Sequence, residues 1–200
     1  MNDPAESNSV RRALYALFAR LFAAPPDADL YGRLHSGGLS RLAQVQRLDL
    51  TSDLMDEEDA EGSAAELSAE YDRLFNRVSL NASQYRAGSE DPAVAVAAFL
   101  QEHALSVDAA AGLPTDHLSV ALGVMGALAA EAETAHRDGD PDAAKTAEVR
   151  SRAFFLRHVH SWVPELMTAI ASRADRRFYR ALAAMASAFL ESERRLLEAA

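Results

Sequence analysis

An aspartate and a histidine stand side by side at Asp116-His117, where a long apolar run begins. A carboxylate and an imidazole at such a point can hold the adjoining loop, or they can hold a ligand. A second imidazole, His158, lies among Phe154, Phe155, Leu156, Val159 and Trp162. His117, His158 and a carboxylate drawn from separate helices would make a metal site of the kind found in helical bundles. A helical metal-binding protein or enzyme using Asp116, His117 and His158 is therefore the alternative reading. Against it, no paired Glu-x-x-His is present. His158 and His160, two residues apart, point about 200° apart on a helix and cannot share an ion. There is no glycine-rich phosphate loop, nucleophile elbow or His-Glu-x-x-His. Neither a metal site nor a catalytic residue is predicted, and no cofactor.

The elements that must position these residues are all helical. Leu118 to Ala130 is nearly all small or apolar, so it predicts a helix buried on most sides, with Thr115 or Asp116 as N-cap and Pro114 just outside. Polar residues appear near Glu131, and the helix is expected to stop around Asp138-Gly139. Asp140 then caps the next helix, with Pro141 at its first position. Val163-Pro164 interrupts that helix, Leu166, Met167 and Ile170 mark a short one, and Asp175 is expected to cap the last. In the last helix Phe178, Tyr179, Leu182, Met185, Phe189, Leu190 and Leu197 should face inward.

Upstream, Val10, Leu14, Leu17, Phe18, Leu21 and Phe22 have helical spacing, and Pro25-Pro26 ends that helix. Ser9-Val10-Arg11-Arg12-Ala13-Leu14 resembles a twin-arginine export signal. Arg20 interrupts the apolar run, and Asp3 and Glu6 precede it, so an amphipathic first helix is predicted, with residues 1–8 disordered. A short helix through Leu30 to Leu34, stopped by Gly37-Gly38, and another carrying Leu39, Leu42, Val45 and Leu48 should follow. Thr51 to Gly62 reads as an acidic solvated stretch. Ser63 to Phe75 is helical, with Leu67, Tyr71, Leu74 and Phe75 on one side. Val78 to Glu90 lacks a helical period and is a long working loop. Asp91-Pro92 opens a helix through Val94, Ala97, Ala98, Phe99 and Leu105. No segment alternates like a strand, and no run of about 18 apolar residues stands out as a membrane span. The fold class expected is all-α, one multi-helix domain over residues 1–200.

The chain has 200 residues, 49% of them hydrophobic, and a net charge of −10. That is enough apolar content for a core, and the charge excludes a broad nucleic-acid surface, which needs a basic patch. With no cysteine, disulfides and thiolate sites are excluded. Lys145 is the only lysine, so arginine supplies 19 of the 20 basic residues.

Four motifs, in order, resemble the TorD/DmsD family, cytoplasmic chaperones of molybdenum oxidoreductases. Tyr71-Asp72-Arg73-Leu74-Phe75 is similar to the family's Tyr-x-x-Leu-Phe. Asn81-Ala82-Ser83-Gln84-Tyr85 is similar to Tyr-x-Ser-x-Tyr, with asparagine in the first place. Pro114-Thr115-Asp116-His117-Leu118 is similar to Pro-x-Asp-His-hydrophobic, although Ala121 stands where the family usually has glutamate. Phe155 to Pro164 is similar to Phe-x-x-His-x-x-x-Trp-x-Pro.

The resemblance implies a non-enzymatic chaperone that binds the twin-arginine signal peptide and apo form of a dimethyl-sulfoxide-reductase-type enzyme. It would assist molybdopterin insertion and hold back export. Such a binder needs a carboxylate for guanidinium groups and an apolar groove for a peptide helix. Asp116 is then the acceptor, His117 orients it or contacts the peptide backbone, Ser83 and Tyr85 form a rim, and Trp162, Phe155 and His158 line the groove. The structural alternatives are a helix cap for Asp116 and core positions for Trp162, Phe155 and His158. Similar proteins also form dimers, so a homodimer stays open.

Overall fold

The computed structural model describes residues 4–35, 64–86, 88, 90–107 and 112–199, and all of its regular elements there are helical. They are α1 (Pro4–Ala23), α2 (Ala28–His35), α3 (Ala64–Phe75), α4 (Pro92–Glu102), α5 (Leu118–Asp138), α6 (Pro141–Phe154), α7 (Val163–Arg173) and α8 (Arg177–Ala199). A 3-10 turn at Ala82–Gln84 and a π-helical turn at Phe155–Val159 complete the set. The helix expected around Leu39 to Leu48, the Gly37-Gly38 stop and the acidic stretch Thr51 to Gly62 lie outside the described residues.

Chain contacts divide the protein into two units. One draws on residues 1–23, 81–163 and 192–200, the other on 24–80 and 164–191. In the first unit α1 runs along α5, and α5 packs on α6. Leu14, Tyr15, Phe18, Leu21 and Phe22 of α1 are buried, as are Leu118, Val124, Met125 and Leu128 of α5. Gly126 brings the two backbones close, since a Cβ there would stand 3.5 Å from Tyr15 Cβ. One 18-residue window of α5 has a mean hydropathy of 1.3, enough by length and composition for a membrane span, and 72% of it is buried inside the fold. Alanine and glycine, rather than large apolar side chains, fill much of that window, which is why no such run stands out in the sequence.

Residues 4–8 were expected to be disordered, yet α1 begins at Pro4. Asn8 is the tie: its amide donates to the Pro4 carbonyl at 3.1 Å, and its Oδ1 accepts from Arg11. Arg11 in turn forms a two-pronged pair with Glu193 near the end of α8, 2.8 Å at Nε and 2.8 Å at Nη2, and Tyr15 donates to the same carboxylate at 2.8 Å. The group is buried. Burial is the largest single influence and lowers the Arg11 pKa, but the Glu193 charge and hydrogen bonding, with Tyr15 and Glu148, together outweigh it and the net shift is upward. Arg12, the other half of the signal-like pair, binds the buried Glu133 at 3.0 Å. Both arginines are thus held within the folded unit.

In the second unit Leu67 and Leu74 of α3, Leu166 and Ile170 of α7, and Phe178, Tyr179, Leu182 and Phe189 of α8 are buried. Tyr179 donates to the Leu67 carbonyl at 2.8 Å. Asp175 was expected to cap α8. Instead the buried Glu70 of α3 accepts from the backbone N–H groups of Asp175 and Arg176, at 2.7 and 2.8 Å. A carboxylate there satisfies two N–H groups at the start of α8 and meets the positive end of its dipole. Asp175 turns its side chain to Arg73, 2.8 Å away.

Helix ends elsewhere follow the sequence. Asp27, Asp91 and Asp140 accept from Leu30, Ala93 and Ala143 backbone N–H groups, and Gly139 ends α5 in the left-handed region at φ 71°. α4 stops at Glu102, short of Leu105, and its buried face is Pro92 and Val96 rather than Val94, Ala97 and Ala98, which are exposed.

Candidate functional site

The N-cap of α5 is His117, not Thr115 or Asp116. Its Nδ1 accepts from the Ser119 backbone N–H at 3.1 Å. An imidazole that accepts at Nδ1 carries its proton at Nε2 when neutral. Burial lowers the His117 pKa, partly opposed by the Asp116 charge.

This leaves Asp116 free for another task. It is 6% exposed, and its Oδ2 accepts from the Ser83 backbone N–H at 3.0 Å. Its carbonyl accepts from the Ala82 N–H at 3.0 Å, and Asn81 and His117 form an isolated antiparallel bridge. The Asp116-His117 step therefore holds the loop that follows Leu80 against the mouth of α5. Ser83 itself is exposed and Tyr85 half-buried.

The other end of that loop is fixed to the π-turn. Tyr85 stacks on Trp162, ring centres 5.6 Å apart and planes at 29°. Glu90 and Arg157 pair at 2.6 Å, and this hydrogen bond holds the Glu90 carboxyl below its ordinary range. The π-turn has a local effect. The His160 N–H reaches back to the Phe155 carbonyl at 2.8 Å, one residue further than in an α-helix. The Trp162 N–H meets Val159, so the His158 carbonyl is released to the Trp162 indole N–H, 2.7 Å away. Pro164 has no N–H and ends the ladder.

His158 is buried beside Phe154 and Phe99, with ring centres at 4.8 and 6.3 Å. Burial first, then the positive charges of Arg157 and Arg86, lower its pKa to about 4. Its Nδ1 is buried without a hydrogen bond. The structure thus joins Asp116, Ser83, Tyr85, Trp162 and His158 into one chain of contacts. Trp162 is 2% exposed and Phe155 fully buried, with its ring against His160 at 6.0 Å. In this conformation neither lines an open groove. Trp162 supports Tyr85 from below, and Phe155 belongs to the core. Among the described residues no group of three histidine or acidic side chains is placed to hold a metal.

Residues 42–168 match the family described as nitrate reductase delta subunit. The chain belongs to that family. It is the TorD/NarJ-type family of redox-enzyme maturation chaperones, and the matched span contains all four motifs. No curated protein and no solved structure matches the chain.

Sequence reasoning did not find several residues that this member of the delta subunit family uses. Arg11, Glu70 and Glu193 each sit on the apolar stripe of their helix: Glu193 is four residues from both Phe189 and Leu197, and Glu70 lies between Leu67 and Leu74. A charge on a buried stripe was the readable signal. The Glu90–Arg157 pair carried no such signal, because both residues are exposed.

Proposed function

We propose that the protein binds the twin-arginine signal peptide of a molybdopterin oxidoreductase of the dimethyl-sulfoxide-reductase type, in the cytoplasm. It holds the apo enzyme for cofactor insertion and delays export until that step is complete. One observation carries this reading beyond the family's general chaperone role. Three family motifs far apart in the chain meet: Asp116 binds Ser83, and Tyr85 stacks on Trp162. Exposed Ser83 and half-buried Tyr85 are then the peptide-facing residues, ordered by Asp116 and His117. Trp162 and His158 lie behind them, and Phe155 holds the π-turn in the core. The reading assigns the protein no catalysis and no resident cofactor.

Calorimetric titration with twin-arginine peptides from candidate enzymes tests it, with twin-lysine peptides as controls. Saturable one-to-one binding that weakens at least tenfold with twin lysine is expected, because lysine cannot form the two-pronged carboxylate contact. Equal binding of both peptides, or of neither, would refute it. The single-domain expectation also stands as a proposal. Each unit is assembled from separate chain segments, so one cooperative unfolding transition is expected by calorimetry, and two resolved transitions would refute it.

A further inference from the structure

Between α1 and the first half of α5 lies a cavity of about 400 Å³, within the range of roughly 300–1,000 Å³ typical of small-molecule sites. Its walls are small: Ala16 and Ala19 of α1 face Gly123, Gly126 and Ala127 of α5. Val107 closes it over Gly123, where an added Cβ would collide with the valine side chain. Water held against such walls finds few hydrogen bonds, so an apolar body displaces it favourably. The larger cavity of about 920 Å³ between α5 and α6 differs in charge, since Glu131, Asp138 and Asp140 line it.

The polar groups of the smaller cavity stand at its two ends. α1 and α5 run antiparallel: a Cβ at Gly126 would stand 3.5 Å from Tyr15 Cβ, and Arg12, earlier on α1, reaches Glu133, later on α5. Arg12 therefore marks one end, and its Nε, 3.0 Å from Glu133, closes that end as a paired group. Arg20, about two turns later on α1, lies at the other end with Ser119. Ser119 is 2% exposed, its N–H is held by His117 Nδ1, and its Oγ is buried without a hydrogen bond. A buried hydroxyl left unpaired is costly, and an anionic oxygen accepting from it would remove that cost. Among the described residues that line this cavity none is acidic, in a chain of net charge −10. An anion at Ser119 and Arg20 thus meets no like charge on the walls, whereas a cation meets only guanidinium groups.

The geometry points to this cavity as a binding site for a small amphiphilic carboxylate. The carboxylate accepts from the Ser119 hydroxyl in the field of Arg20, and the apolar body lies over Gly123, Ala16 and Gly126 toward Ala127. From Ser119 to Ala127 runs about 12 Å of helix at about 1.5 Å per residue, room for a hydrocarbon chain of medium length. The site shares no residue with the loop that Asp116 holds, and it does not depend on the signal-binding reading.

Octanoate is the probe, titrated calorimetrically into the full chain with octanol and octylamine as controls. Saturable one-to-one octanoate binding is expected, at least about tenfold tighter than octanol because its hydrogen bond to Ser119 is charge-assisted, and octylamine should not bind. In amide NMR spectra the Gly123 and Gly126 signals should shift with the same saturation. Ala16 is exposed, so Ala16→Trp should fold, as circular dichroism will verify. An indole there fills the middle of the cavity and should abolish binding. Ser119→Ala should weaken octanoate about tenfold and leave octanol unchanged. Octanoate that does not bind, or binds no better than octanol, overturns the proposal. So does binding that Ala16→Trp leaves intact, which would put the probe elsewhere on the chain. Equal octanoate binding by wild type and Ser119→Ala overturns the placement of the carboxylate.

Discussion

Two polar clusters in the same unit are built on opposite principles. Around Glu193, the Arg11 guanidinium, the Tyr15 hydroxyl and the Asn8 amide are all engaged, and the group is closed to water. Around the mouth of α5 and the π-turn, two buried polar atoms, Ser119 Oγ and His158 Nδ1, have no partner. A saturated buried network holds helices in register. An unsaturated one carries a standing cost that a bound group can relieve. The comparison separates polar groups that hold α1 and α8 together from buried polar atoms left without a partner.

The largest effect should come from the saturated cluster. Glu193→Ala strands a buried guanidinium and is expected to destabilise the protein by about 3–5 kcal/mol, read from urea unfolding. Replacing Arg11 and Glu193 together with leucine should recover most of that loss. A double variant as unstable as the single one would show that shape, not charge pairing, dominates there.

His158 comes next. Its folded pKa of about 4 lies below the ordinary histidine value of 6.5. The unfolded chain therefore takes up the proton first as pH falls. The stabilising contribution is complete above pH 6.5 and is lost between 6.5 and 4, by up to about 3 kcal/mol. His117, shifted the same way, adds to this loss. His158→Phe should flatten the pH profile of stability in that window. An unchanged profile would mean that His158 is solvated, and the contrast between the clusters would weaken.

Asp116→Ala removes the charged acceptor for the Ser83 N–H and should cost about 1.5–3 kcal/mol. Faster amide exchange should be confined to the loop from Asn81 to Tyr85. If exchange there stays slow, the Tyr85–Trp162 stack alone holds the loop. The smallest effect is expected from Ser119→Ala. Removing an unpartnered hydroxyl should leave stability within about 1 kcal/mol of wild type or raise it. A marked loss of stability would place Ser119 with the saturated cluster.

Much of the helical layout was legible because helix ends are written locally. Asp91-Pro92, Asp140-Pro141 and Gly139 act on neighbours within a few residues. The inward face of α8 was legible from its period. His117 as the cap of α5 was not, because an imidazole and a carboxylate side by side compete for the same role. Only the loop from Asn81 to Tyr85, 33 residues away at Ser83, decides it by taking Asp116. Glu70 displaced Asp175 at the start of α8 for the same reason: a distant side chain reached the N–H groups first. The Tyr85–Trp162 stack depends on a one-residue change in winding at Phe155–Val159, which no residue type there announces.

Lys145, the only lysine, has a practical consequence. It is exposed on α6, between Ala143 and Thr146, which form part of one wall of the cavity between α5 and α6. Amine-directed coupling, run where the terminal amine is blocked, places a single dye or cross-linker at that wall without any engineered residue. The native chain thus carries its own attachment point for following a client by energy transfer.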